Sequence, residues 1–300
     1  MSYSQLELPV LGTAKWSWTV SKKEAFSILD KFYYYGGRDI DSATNYPINS
    51  NPEDYGRALI WLTDWIYQNS ITDLRVYLKF GGQNNLGSSE TNFESNYIEE
   101  LINSFISKLD SNLSLLAIHW DNRGKELNEI KDVQQTINLL NTYHKQGFNI
   151  GFSGIRYPEI YSNFKKTIVN NWIIQVKENI FTADQRNNYQ SYFPDCRYVA
   201  YGINKTKNNQ NSERAQIFNS FKELNQDLTR NLNIENFFDM CLLFAFCNKS
   251  LYGYIIAPSS TKQMVQTINT LSNFKKKNLN KSDRNLIYKK IKNSLKNLTE

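Results

Sequence analysis

Eight short apolar runs recur along the chain, and each is followed by a longer stretch in which apolar residues fall at helical spacing. The runs are LPVLGTA (8–14), RDIDSA (38–43), RVYLKF (75–80), LSLLAIHW (113–120), FNIGFSG (148–154), WIIQVKE (172–178), RYVAYG (197–202) and GYIIAP (253–258). Runs this short and this rich in β-branched and aromatic residues predict strands, and the stretches between them predict helices. The clearest helix lies within residues 91–110, where Ile98, Leu101, Ile102, Phe105 and Leu109 share one face. The stretch IENFFDMCLLFAFC (234–247) is apolar nearly all round, so a helix there has to be buried. Strands that alternate with helices build a parallel sheet. Eight such units in 300 residues predict a closed (β/α)8 TIM barrel of the α/β class rather than an open doubly wound sheet. No internal repeat or low-complexity linker divides the chain, so residues 1–300 are expected to form a single domain.

The terminal stretch KSDRNLIYKKIKNSLKNLTE predicts an amphipathic helix over about 281–298, with Ser282 as its cap. Leu286, Ile287, Ile291, Leu295 and Leu298 lie near helical spacing on its apolar side, opposite a basic face. This segment changes the meaning of the net charge. The formal charge is +6, yet residues 271–300 alone carry nine Lys or Arg against two acids, which leaves the rest close to neutral. Charge confined to one solvated helix face, without interleaved aromatic residues, argues against a nucleic-acid partner. No apolar run approaches the roughly 20 residues of a membrane span, and MSYSQLELPV lacks the pattern of a signal peptide. The expectation is a cytoplasmic protein with no nucleic-acid or membrane partner, and nothing in the pattern specifies an oligomeric state. Cys196, Cys241 and Cys247 form no CxxC pair, and His119 and His144 are the two histidines, so neither a zinc site nor a disulfide framework is expected.

A barrel predicts where the chemistry lies, because active sites of this fold sit at the C-terminal ends of the strands. Asp41 ends the second run and Tyr46 follows in its loop; Lys79 ends the third run and His119 the fourth. Each has a plainer explanation alone: turn residues in SATNYP, a lysine reaching for solvent, a histidine satisfied in the core. Together they form a unit suited to moving a proton onto a carbonyl oxygen. A tyrosine is a weak acid, with an ordinary pKa of about 10, and a neighbouring Lys79 ammonium is expected to lower it. Asp41 would pair with Lys79, while a neutral His119 would donate to the carbonyl oxygen. Such a donor set needs a cofactor to deliver electrons.

With these residues in place, the chain resembles the aldo-keto reductase family of NAD(P)H-dependent barrels over essentially its whole length. The resemblance rests on LGTAKW, DIDSATNYP, LKFGG, IHWDN, GFSG, IIQVKENIF, VAYG and IIAPSSTKQM, in that order. It implies a cofactor site without a GxGxxG fingerprint, which the chain lacks. By this resemblance Gly12 and Thr13 lie near the nicotinamide ribose with Asp41 beside them, Ser153 and Gln175 hold the carboxamide, and Tyr201 stacks on the ring. Trp16, Trp18 and Trp120 flank the mouth as candidate substrate contacts. Ser259, Ser260 and Lys262 are expected to take an adenosine 2′-phosphate at a helix start, making NADP(H) the preferred cofactor and NAD(H) the alternative. The chain departs from the family at Gly154, where Asn is usual, at Ser259, where Arg is common, and ahead of the first strand, where the closing hairpin is short or absent.

The resulting expectation is an oxidoreductase that reduces the carbonyl of a small aldehyde or ketone, sugar-derived or simple, with Tyr46 as proton donor and no metal. Two rivals remain: a cofactor-binding sensor or scaffold of the same family, and a Schiff-base aldolase or lyase with Lys79 as nucleophile.

Overall fold

The computed structural model describes residues 5–87, 90–164, 171–206, 208 and 210–296. All eight runs form strands: β1 (Val10–Gly12), β2 (Asp39–Ala43), β3 (Arg75–Phe80), β4 (Leu113–His119), β5 (Asn149–Ser153), β6 (Ile173–Lys177), β7 (Arg197–Tyr201) and β8 (Gly253–Ile256). They pair in parallel and in chain order, and β1 pairs with β8 through Val10 with Ile255 and Leu11 with Ile256, closing the barrel. The described helices are α1 (Lys22–Tyr34), α2 (Arg57–Gln68), α3 (Ser95–Leu109), α4 (Leu127–Lys145), α5 (Pro158–Ser162), α6 (Asp184–Tyr192), α7 (Asn211–Leu224), α8 (Gln226–Leu232), α9 (Phe237–Cys247), α10 (Thr261–Lys276) and α11 (Lys281–Lys296).

Strand alternation divides the core in two. In β4, Leu116 and Ile118 join the large cluster under the helices, while Leu115 and Ala117 join a smaller cluster with Val10, Tyr77, Ile173 and Val199. This smaller cluster fills the barrel's interior. Continuing the same inner face by two residues per step reaches His119 in β4, Lys79 in β3, Ser153 in β5 and Tyr201 in β7. The barrel floor is covered by Leu6, whose amide donates to the Tyr252 carbonyl (2.8 Å) and whose side chain lies where a Cβ on Gly253 would fall.

Helix faces follow the pattern with two adjustments. In α3, Ile98, Ile102 and Leu109 are buried, and Leu101 and Phe105 pack partly exposed against the core. In α9, every residue except Phe238 is buried. The cap of α11 is Asn280 rather than Ser282: Asn280 Oδ1 accepts from the amides of Ser282 (2.7 Å) and Asp283 (3.0 Å), and Asp283 accepts the Asn280 amide (3.0 Å). The earlier start turns Ile287, Ile291 and Leu295 inward and leaves Leu286 56% exposed. Leu298 lies outside the described residues.

Candidate active site

The site begins with β2 and β3, whose register sets Ala43 opposite Lys79. Lys79 is 1% exposed, and its ammonium donates to Asp41 Oδ2. The other carboxylate oxygen of Asp41 accepts from Gln175 Nε2 at 2.5 Å. The loop after β2 is clamped by the Thr44 amide, which donates to the Lys79 carbonyl (2.9 Å), and by Asn45 Nδ2, which donates to the Asn84 carbonyl (3.0 Å). It carries Tyr46 over Lys79, with the ammonium 4.9 Å from the ring centroid. His119 meets Tyr46 edge to face at 5.9 Å and packs on Trp120 at 4.1 Å. Its Nδ1 is buried with no hydrogen-bond partner among the described residues.

Electrostatics follow from burial. Desolvation, ahead of the Lys79 charge, pushes the His119 imidazole well below its ordinary range, so it is neutral at pH 7. Desolvation also lowers Lys79, against the pull of Asp41. Tyr46 corrects the expectation: its phenol is raised well above the ordinary value, by burial first and by Asp41 second. Burial and the Asp41 carboxylate outweigh the nearby Lys79 charge, so the phenol keeps its proton.

These groups head a cavity of about 880 Å³ at the C-terminal rim, lined by Asp41, Tyr46, His119, Ser153, Gln175 and Tyr201 and floored at one side by Gly12. A Cβ at Gly12 would meet Ile255 Cγ2 at 2.7 Å, so no larger residue fits between β1 and β8 there. His119, Ser153 and Gln175 stand abreast because β4 pairs with β5 at His119 and Ser153, and β5 with β6 at Ser153 and Gln175.

Several expected residues fall elsewhere. Thr13 is fully buried, and its hydroxyl donates to the Asp41 carbonyl (3.1 Å) and shares a hydrogen bond with the Ser42 hydroxyl (2.9 Å), so its side chain ties β1 to β2 and does not line the cavity. Trp16 is 1% exposed and packs into the core, whereas Trp18 and Trp120 line the mouth. Lys262 lines an adjoining recess with Asn233 and Asn273 that shares Gln266 with the main cavity; the α10 residues that line the main cavity itself are Gln263, Gln266 and Thr267. Ser259 reaches the cavity, and Ser260 is the α10 cap, accepting the Gln263 amide at 3.2 Å. Gly154 sits at φ +78°, and a Cβ there would meet Trp120 Cδ1 at 2.9 Å, which accounts for glycine where the resembled family has Asn.

Residues not foreseen from sequence complete the cavity. Lys15, Lys205 and Arg214 also line it, and Lys15 Nζ donates to Ser259 Oγ at 3.3 Å. Burial, and then the charges of Arg214 and Lys205, lower the Lys15 pKa. Lys15 and Lys205 follow β1 and β7, so a scan for cations in strand-end loops would have found both; nothing local marks Arg214. A cavity of this volume with three cations in its lining has the room and the charge to hold a dinucleotide diphosphate. Among the described residues, no group of three or more His, Cys, Asp or Glu side chains is placed to hold a metal ion, and no helix is long and apolar enough to cross a membrane.

The Aldo/keto reductase family model matches residues 10–284. Two Saccharomyces cerevisiae proteins that carry the name aryl-alcohol dehydrogenase are 28% and 27% identical to the chain over 123 residues, which is 38% of this chain. The matched segment covers 31% and 35% of those proteins, about a third of their length.

Proposed function

Because the chain belongs to the aldo/keto reductase family, we propose that it interconverts an aldehyde or ketone and the corresponding alcohol with NAD(P)H, Tyr46 being the proton donor. The observation that carries this reading is the Asp41–Lys79 pair beneath Tyr46, with a neutral His119 beside it at the head of a cavity.

Bound in that cavity, the nicotinamide would supply hydride to the carbonyl carbon. The protein supplies the rest. The Tyr46 hydroxyl donates to the carbonyl oxygen and gives up its proton as negative charge gathers there, which completes the alcohol. The His119 N–H orients and polarises the same oxygen, and its neutrality lets it donate without placing a second positive charge beside Lys79. Lys79 favours the phenolate left behind, and Asp41 holds Lys79 in place. Ser153 and Gln175 are the proposed carboxamide partners, with Gln175 also tied to Asp41, and Tyr201 offers a ring to stack on the nicotinamide. Lys15, Lys205 and Arg214 are the proposed diphosphate partners. Residues 1–300 would act as one domain, α11 packing on α7 and α9.

Trp18, Trp120 and Phe238 line the mouth, which favours an aromatic carbonyl and agrees with the name carried by the two yeast relatives. The Lys79 nucleophile reading fares worse: a lysine 1% exposed and bound to a carboxylate has no open approach to a substrate carbon. The test is a panel of aromatic and aliphatic carbonyls followed by NADH and NADPH absorbance, with Tyr46→Phe as control. Turnover of aromatic aldehydes that depends on Tyr46 supports the proposal. Nicotinamide-independent borohydride trapping on Lys79 would replace it with the Schiff-base chemistry, and binding without turnover of any carbonyl would leave a sensor.

A further inference from the structure

Among the described residues, every non-glycine residue with a positive φ is Ser, Asp or Asn except Trp120, at φ +61°. A bulky side chain is disfavoured in that region, so something beyond the turn itself must hold it there. The turn is built around the next residue, Asp121, which is fully buried. Its carboxylate accepts from the Arg123 amide (2.9 Å), from Arg123 Nε (3.0 Å) and Nη2 (2.8 Å), and from the Tyr161 hydroxyl of α5. Its carbonyl accepts the Arg156 amide (2.8 Å). Arg123 is fixed in turn by Thr136 Oγ1 of α4, at 3.0 Å, and by the Phe93 ring, 4.6 Å from its guanidinium. The Trp120 amide donates to the Ser153 carbonyl (3.0 Å), and Gly154 leaves the space that the indole fills.

The residue one position earlier is His119. The Trp120 indole lies on its ring, centroid to centroid 4.1 Å, and Tyr46 meets the same ring at 5.9 Å. A working histidine is ordinarily aimed by the hydrogen bond that one ring nitrogen makes. At His119 the buried Nδ1 bonds no described residue, so the aim of the ring falls to the side chains packed on it. Direction matters because a hydrogen bond weakens steeply as its donor angle departs from linear.

We propose that Asp121 is a positioning residue for carbonyl reduction: its carboxylate, bound to Arg123 and Tyr161, holds Trp120 in the left-handed turn, and the indole so placed fixes where the His119 N–H points in the cavity. This deepens the reductase reading and rests on it. Asp121 does not line the cavity, whereas Trp120 and His119 do, so its influence on the reaction passes through those two rings.

The test is a double-mutant cycle on turnover of an aromatic aldehyde by the full chain. Asp121→Asn removes the charge and keeps one acceptor, and Asp121→Asn with Arg123→Met removes the guanidinium as well, so that no charge is left unpaired. Each is expected to lower kcat about tenfold while dinucleotide affinity, followed by quenching of tryptophan fluorescence, stays within about twofold. In a His119→Gln background the same changes should cost less than about twofold more, because the ring they aim is gone. Trp120→Ala should show the same dependence on His119. Equal losses in both backgrounds for either residue, or a loss of dinucleotide affinity that matches the loss of turnover, make Asp121 part of the scaffold and overturn the proposal. So does the failure of both Asp121 variants to melt cooperatively, or a folded variant with full turnover. A wild type that turns over no carbonyl with either dinucleotide overturns the reductase reading and this inference with it.

Discussion

The Lys79 ammonium lies 4.9 Å from the centre of the Tyr46 ring, yet the Tyr46 phenol is held above its ordinary range by burial and by Asp41. In the proposed reaction, a phenol kept protonated would be the donor for an oxygen that becomes basic only as hydride arrives. Tyr46→Phe is therefore expected to lower turnover by about 10² to 10⁴ while dinucleotide affinity changes little. Steady-state rates and fluorescence titration check the two halves, and a variant that keeps most of its activity removes Tyr46 from the chemistry.

His119 is neutral because burial and Lys79 hold its pKa well below the ordinary 6.5. Below pH 6.5 the unfolded chain takes up a proton at this residue and the folded chain does not, so stability falls as pH falls through that value. Melting curves between pH 8 and pH 5.5 should show this decline, and His119→Gln should flatten it. The same substitution should cost turnover on the order of 10² through loss of carbonyl polarisation. An unchanged pH slope would mean that His119 titrates normally.

The Asp41–Lys79 pair is buried on both sides, at 5% and 1% side-chain exposure. Asp41→Asn leaves the lysine charge unpaired and is expected to destabilise the fold by about 3–5 kcal/mol, whereas adding Lys79→Met removes that charge and should recover much of the loss. Urea unfolding of the single and double variants decides; losses that simply add would show that the two residues are not coupled.

Lys262 lines the adjoining recess that shares Gln266 with the cavity, whereas Lys15 lines the cavity itself. Lys262→Ala is expected to leave affinity for both dinucleotides within about twofold, while Lys15→Met should weaken both by about fivefold. The reverse order of effects would return the phosphate contact to Lys262.

Gly154→Asn, which restores the residue usual in the family, should destabilise the chain by about 1–2 kcal/mol, since its Cβ would fall 2.9 Å from Trp120 Cδ1. Trp120→Ala in the same background should relieve part of that cost. Thermal melts of the single and double variants measure it, and a neutral single substitution would show that Trp120 moves aside freely.

The barrel and its inner face were legible along the chain because both are local properties. A buried parallel strand is a short apolar run, and strand alternation of two carries Asp41, Lys79 and His119 to one face of neighbouring strands without reference to distant residues. Helix orientation was less legible. Whether Lys262 or Gln263 looks into the cleft is a matter of one residue, about 100° around the helix, and although Ser260 caps the helix, its rotation about its own axis is chosen by packing. The direction of the Tyr46 pKa was not legible either, since it depends on how deeply the ring is buried and on which partner takes the Lys79 charge. Least legible of all were the contacts made by closure. Lys15, Lys205 and Arg214 come from three separate segments, and Glu24 meets Thr261 across 237 positions only because β1 pairs with β8, which brings the first helix of the barrel beside the helix that follows its last strand.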